Sequence, residues 1–246
     1  MRKVAEVNLI FWIMKICATT FGETGGDMLS MTLNIGYGLS SIILIAFFII
    51  TLVIQLTSKK YIPLIYWLVI IATSTAGTTM SDYMDRTLGL GYAKGSLILV
   101  VLLCSILLIW YKSEKNLSVT NIKTFRPEMF YWIAILFSNT LGTALGDYLA
   151  DDSGLGFAGG AMLIGSLLLV VVLVKYFTQI STVFLFWIAF VLTRPFGATF
   201  GDLLTKPLEK GGLDLGTIGS SVVLLSILFV LIFYSTIKEK KMVTTA

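Results

Sequence analysis

Polar-striped and almost wholly apolar stretches alternate along the chain. The first, at about 7–29, carries Lys15, Thr19, Thr20, Glu23 and Asp27 among apolar residues, and the second, at about 36–56, is nearly uniformly apolar. The pairing recurs at about 63–84 and 90–110, at about 129–150 with an apolar partner ending near 176, and at about 183–204 and 215–235. Each stretch approaches the roughly 20 residues that a helix needs to cross a bilayer. The pattern predicts an all-α polytopic membrane protein of eight transmembrane helices.

The striped helices share a register. Trp12, Trp67, Trp132 and Trp187 each have a glycine ten residues on (Gly22, Gly77, Gly142, Gly197) and an aspartate fifteen residues on (Asp27, Asp82, Asp147, Asp202). Such repetition signals duplicated supersecondary units, here assigned to 1–61, 62–116, 117–181 and 182–246. Two spans per unit make the four copies parallel, related by axes along the membrane normal. The expected architecture is pseudo-fourfold, and the connector 112–128 divides it into two four-helix halves. The apolar helices also begin alike, with LNIGYGLSS, LGLGYAKGS, SGLGFAGGA and LDLGTIGSS, whose small residues suit close helix packing. Gly36, Gly91 and Gly156 lie 24 residues after their tryptophan, whereas Gly216 lies 29 after its own, so the fourth unit carries a five-residue insertion within 206–213.

Composition agrees with a membrane class: 57% of residues are hydrophobic and 13% charged, against about a quarter charged in soluble domains. The net charge of +4 sits in short loops and termini without aromatic interleaving, which speaks for membrane orientation and against nucleic-acid binding. Twelve basic residues, from Arg2 and Lys3 through Lys59, Lys60, the 112–128 connector and Lys175 to Lys241, fall on the face that holds both termini. Arg86, Lys206 and Lys210 fall on the other, with Lys94 just inside it, so both termini are expected to be cytoplasmic. The opening Met1-Arg2-Lys3 resembles a signal peptide, but the stretch after it holds the first copy of the register and is kept as helix one. Cys17 and Cys104 lie in spans and read as small hydrophobes.

Positions 8, 11, 12 and 15 after each tryptophan share one face of an unbroken helix. That face carries Thr20, Glu23, Thr24 and Asp27; Thr75, Thr78, Thr79 and Asp82; Thr140, Thr143 and Asp147; and Pro195, Thr199 and Asp202. The threonines are expected to line a pathway, and the five carboxylates to form its ion site. Carboxylates facing lipid are costly, so they should face one another or a wet cavity. Four at one depth call for a cation, a basic partner or protonation. Oxygen ligands without histidine or paired cysteine suit Mg, Mn or Ca. Arg194, directly before Pro195, reads as a counter-charge to the cluster, and Lys15 as a second compensating charge or a snorkelling residue. Asp85, Asp151 and Asp152 are placed in the outer loops or the mouth, where they would attract cations. The tryptophans read as an interfacial belt or an aromatic gate. The register glycines are packing points or breaks that would free backbone carbonyls.

With its tryptophan-marked, two-helix unit present four times from about Asn8 to Ser235, the chain resembles a bacterial integral-membrane family of tandem repeats of unknown function, each with two transmembrane regions and a tryptophan. The resemblance implies the eight-helix architecture and a bacterial membrane, and it brings no activity.

The residues themselves point to a transporter of the inner membrane for a divalent cation of the Mn or Mg kind, with efflux coupled to protons carried on the same carboxylates. Movement of one four-helix half against the other would give alternating access. Two alternatives stay open: a proton-coupled carrier of a small organic solute held by Arg194, and a channel filtered by an aspartate ring. No nucleophile and base are spaced for hydrolysis, so no enzyme and no cofactor are expected. The expected partners are the bilayer and the transported ion or solute; homo-oligomers are left open.

Overall fold

A computed structural model describes residues 3–244; Met1, Arg2, Thr245 and Ala246, and with Arg2 part of the charge count above, lie outside it. The helices are α1 (Leu9–Asp27), α2 (Tyr37–Thr57), α3 (Pro63–Asp82), α4 (Tyr92–Glu114), α5 (Phe125–Asp147), α6 (Gly156–Phe177), α7 (Thr182–Thr205) and α8 (Thr217–Thr244), and the described residues contain no strand. Seven of them are long and apolar enough to cross a membrane. The exception is α1, whose 19 residues include Lys15, Glu23 and Asp27. Local signals set the starts: the Asn8 side chain accepts from the Phe11 amide at 3.0 Å, and Pro63 opens α3, where its missing N–H costs nothing.

The striped helices α1, α3, α5 and α7 form a ring, touching in that cyclic order, with α7 closing back on α1. The apolar helices stand outside it, each against the striped helix of the following unit: α2 on α3, α4 on α5, α6 on α7 and α8 on α1. The two long helices of a unit touch one another far less than they touch the neighbouring unit. Every unit therefore completes its neighbour's packing, and the 112–128 connector marks no seam, since α3 and α4 both pack on α5 across it. The outer helices expose Ile42, Ile50, Leu97, Met162, Val223 and Phe233. An apolar surface of that extent is foreign to soluble monomers.

The register glycines are the points where ring helices meet. A Cβ on Gly22 would lie 2.5 Å from Ser74 Cβ, one on Gly77 2.9 Å from the Thr140 amide, one on Gly142 2.2 Å from Arg194 Cγ and one on Gly197 2.7 Å from Thr19 Cβ. In every case the glycine ten residues after one tryptophan faces residues seven or eight places after the next. A second row, four residues on, repeats this with Gly26 on Thr78, Gly146 on Ala198 and Gly201 on Glu23. This is small-xxx-small packing, and the helices run unbroken through it. The glycines are contacts and not breaks. Irregular backbone comes just after the aspartates, as π turns at Met28–Thr32, Tyr83–Thr87 and Tyr148–Asp152. In the fourth unit the insertion replaces that turn with a loop containing a 3-10 turn at Leu208–Lys210.

Gly36, Gly91, Gly156 and Gly216 serve differently from the close packing expected of them. Nothing lies within 4 Å of a Cβ at any of the four, but their φ angles run from 67° to 80°. Left-handed backbone at the turn into each outer helix is the constraint there. Close packing falls instead on Gly95, against Asp85, and on Gly160, against Thr199.

If helix contact is the role of the register glycines, Gly77→Ala should lower stability by about 1–3 kcal/mol through overpacking. Gly219→Ala, in α8 where nothing lies within 4 Å, should leave it unchanged or raise it by up to about 1 kcal/mol. Unfolding midpoints of the detergent-solubilised protein test this, and equal midpoints would refute it.

Candidate functional site

The ring interior is a stack of layers. At one end the tryptophans turn inward: Trp67 and Trp132 are fully buried and Trp187 nearly so, which rules out an interfacial belt for these three. Each packs with the aromatic residue before it. Tyr66 and Tyr131 are hydrogen-bonded to each other, and Tyr66 lies 5.4 Å from Trp67 and 5.3 Å from Trp132, centroid to centroid. Val4, Ala5, Val119 and Ile122 are buried in the same cluster. On their outer side, at the helix ends, Lys3 pairs with the buried Glu128, and Gln55 donates to both Glu128 Oε1 and the Lys3 carbonyl. This end is closed by packed rings.

Lys15 comes next and does not snorkel. It is fully buried, donates to Asn139 Oδ1 at 3.3 Å and stands 4.0 Å from the centre of the Phe190 ring. Among the described residues no carboxylate pairs with it, so the expected compensation of the cluster by Lys15 is not made by contact. Asn139 in turn donates to Thr73 and Ser74.

Beyond this lies a knot around Glu23 and Arg194. Arg194, fully buried, pairs with Glu23 Oε2 at 3.0 Å and donates to Thr78, to Thr143 and to the Ser74 carbonyl. Thr78 and Thr143 each also reach Glu23 Oε2 at 3.4 Å. All four ring helices contribute a side chain to this layer. The guanidinium is thus held by the protein's own carboxylate and hydroxyls.

At the far end the four aspartates are buried in two clamped pairs. Arg86 bridges Asp82 and Asp147, at 3.0 Å to each. Lys206 bridges Asp27 at 2.5 Å and Asp202 at 3.0 Å. Both cations stand four residues after an aspartate of their own helix and reach across to the next, so one clamp ties α3 to α5 and the other α7 to α1. Burial opposes the charge on Lys206, but Asp202 and Asp27 beside it outweigh burial and hold the ammonium well above the usual lysine range. Carboxylate oxygens of Glu23, Asp147 and Asp202 lie within 4.8 Å of one another. At that spacing two ionised carboxylates repel by about 3 kcal/mol with an effective dielectric of about 20. The arrangement calls for positive charge at its centre.

The five carboxylates read from the sequence therefore converge, and so do Thr78, Thr143 and Arg194. The remaining threonines do not form a common lining. Thr75, Thr79 and Thr140 bond carbonyls of their own helices, Thr24 meets Ser221 of α8, and Thr199 lies against Gly160 of α6. Thr20 is buried with its hydroxyl unpartnered. The ladder fails because most of these hydroxyls bond their own helix, and Thr24 and Thr199 turn toward an outer helix. Asp85 is also corrected: it is buried, accepts from Ser81 and faces Gly95, whereas Asp151 and Asp152 are exposed. Arg86 and Lys206 were placed in outer loops and are instead part of the site. Their four-residue spacing from an aspartate, a helical ion-pair signal, was the clue.

Four copies of a two-helix unit, with polar helices inside and apolar helices outside, define the class: a tandem-repeat protein built from helices of membrane-spanning length. The family model described as Repeat of Unknown Function (DUF347) matches residues 10–61, 65–116, 130–181 and 185–241, and the chain belongs to that family. No curated protein and no solved structure matches it.

Removing one member of a buried ion pair leaves the others uncompensated, at about 3–5 kcal/mol. Lys206→Met should destabilise on that scale, and adding Asp27→Asn should recover part of the loss. Thermal midpoints in detergent would show it; a single variant as stable as the parent would mean that the clamp carries no weight.

Proposed function

We propose that the protein is a membrane carrier for a hard divalent cation of the Mn2+ or Mg2+ kind, with its site among Glu23, Asp147 and Asp202. The observation that carries this reading is charge balance in a confined space. The five carboxylates of the cluster meet three cations, Arg86, Arg194 and Lys206, leaving a formal excess of two negative charges beside three convergent oxygens. One divalent ion neutralises that excess. Oxygen-only donors, with hydroxyls of Thr78 and Thr143 nearby, suit Mg2+, Mn2+ or Ca2+ over softer metals.

The bilayer is the natural partner of the exposed apolar helices, with α1 sheltered in the ring as the eighth span and the cyclic contacts as a pseudo-fourfold arrangement. Lys59, Lys60, Lys112, Lys115, Lys123, Arg126 and Lys175 belong to the tryptophan end, which supports a cytoplasmic position for it in a bacterial inner membrane. Each end has its own closure, the aromatic cluster on one side and the two clamps on the other, as alternating access needs. Ion pairs tie α3 to α5 and α7 to α1. The moving bodies are therefore those pairs, in preference to the halves on either side of the connector. The aromatic closure argues against a standing channel, and the engagement of Arg194 argues against a solute carboxylate at that guanidinium.

Titration calorimetry of the purified protein against Mg2+, Mn2+, Ca2+, Co2+ and Zn2+ tests the site. Saturable binding of a hard ion, weakened at least about tenfold in Asp147→Asn and in Asp202→Asn, is expected, one charged hydrogen-bonding ligand being worth about 1.5–3 kcal/mol. No binding by the parent would overturn the proposal.

A further inference from the structure

Lys15 is a charge that the cation site does not use. At its position, three residues after the tryptophan, the other units have Ile70, Ile135 and Phe190, so the ring packs there without a polar group. The amine has three donors when protonated but meets one oxygen, Asn139 Oδ1, and the face of Phe190. An ammonium buried without a counter-charge is held at high cost, and a lone structural lysine is a poor filler for an apolar layer.

Its surroundings link it to the ion site. Asn139, which accepts from Lys15, donates to Ser74, and the Ser74 carbonyl accepts from Arg194, which pairs with Glu23. Of the groups that can carry charge, Arg194 on α7 acts on it electrostatically; Cys17 and Glu23 follow two and eight residues later on its own helix, and Tyr66 on α3 and Tyr131 on α5 stand four residues before its counterparts Ile70 and Ile135. On α8, which packs against α1, Tyr234, Lys238 and Glu239 line a cavity with Phe11 and Met14. Arg194 is the one of these whose positive charge is fixed.

From this geometry we infer that Lys15 is the proton site of the carrier, emptied when a divalent cation occupies the carboxylate cluster and filled when the cation leaves. The inference rests on the cation reading above. Lys15 and Glu23 are eight residues apart on α1, about 12 Å along the axis. A double positive charge at that distance lowers proton affinity about a hundredfold at an effective dielectric of about 20. On cation entry an N–H bond of the ammonium breaks, the electron pair stays on Nζ, and the proton passes to water at whichever end is open. Two positive charges enter for one that leaves, and the carboxylates stay free to bind the ion. Coupling then needs no histidine and no shared ligand.

Proton release on Mn2+ binding to the full chain in detergent decides the matter, measured by calorimetry in buffers of different ionisation enthalpy and by Mn2+ affinity as a function of pH. By linkage, the parent should release about one more proton per Mn2+ than Lys15→Met, and its affinity should gain about tenfold more per pH unit. Lys15→Arg, which cannot give up its proton, provides a second variant with the same expected loss should Lys15→Met not fold. Unchanged proton release in a variant that still binds Mn2+ would overturn the role of Lys15 and leave the cation site standing. No Mn2+ binding by the parent would overturn both.

Discussion

Burying the five carboxylates of the cluster at one end of a helical bundle is tolerable only if positive charge reaches each of them, and the structure depends on how that is arranged. An isolated buried carboxylate costs far more than any helix contact returns. Arg194 answers Glu23, Arg86 answers Asp82 and Asp147, and Lys206 answers Asp27 and Asp202. These pairs form because the helices approach closely enough for side chains of adjacent units to meet. Gly22, Gly77, Gly142 and Gly197 set that approach, so glycine contacts and ion pairs are two sides of one constraint.

The architecture was legible because its signals are periodic. Apolar runs of span length, a fourfold Trp-Gly-Asp register and a shared glycine at the start of each outer helix all follow the backbone, and helix positions came within a few residues. The neighbour on which each apolar helix would pack was not legible. Within one chain α2 could have covered α1, and only the three-dimensional path shows it on α3. The turn glycines were misread for a related reason. A positive φ and a close contact both select glycine, and sequence does not distinguish them.

The site was half legible. The aspartates and Glu23 stood out as charges in apolar surroundings, and Arg194 for the same reason. Arg86 and Lys206 were passed over because loops at a membrane surface ordinarily hold basic residues, so their four-residue spacing from Asp82 and Asp202 was outweighed by a plausible bland role. The hydroxyl ladder was over-read because a threonine in a helix finds an acceptor in its own backbone. In Thr75 and Thr140 that local bond prevails, whereas Thr78 and Thr143 also meet Arg194.

Duplication explains the frame, and departures from it hold the chemistry. Four identical units would place four aspartates at one level with nothing to neutralise them. Nineteen residues after the tryptophan, the second and fourth units have Arg86 and Lys206 where the first and third have Met31 and Asp151. This alternation turns a ring of four like charges into two clamped pairs. Glu23, Arg194 and Lys15 break the remaining equivalence, each present in one unit alone: Glu23 and Arg194 pair in one layer below the clamps, and Lys15 lies between that layer and the aromatic end. A single-copy charge inside a repeated frame adds nothing to helix packing that the other three copies do not achieve without it. The stems of Arg194 and Glu23 pack against Gly142 and Gly201 as other residues do elsewhere in the ring; what packing does not require of these three positions is the charge.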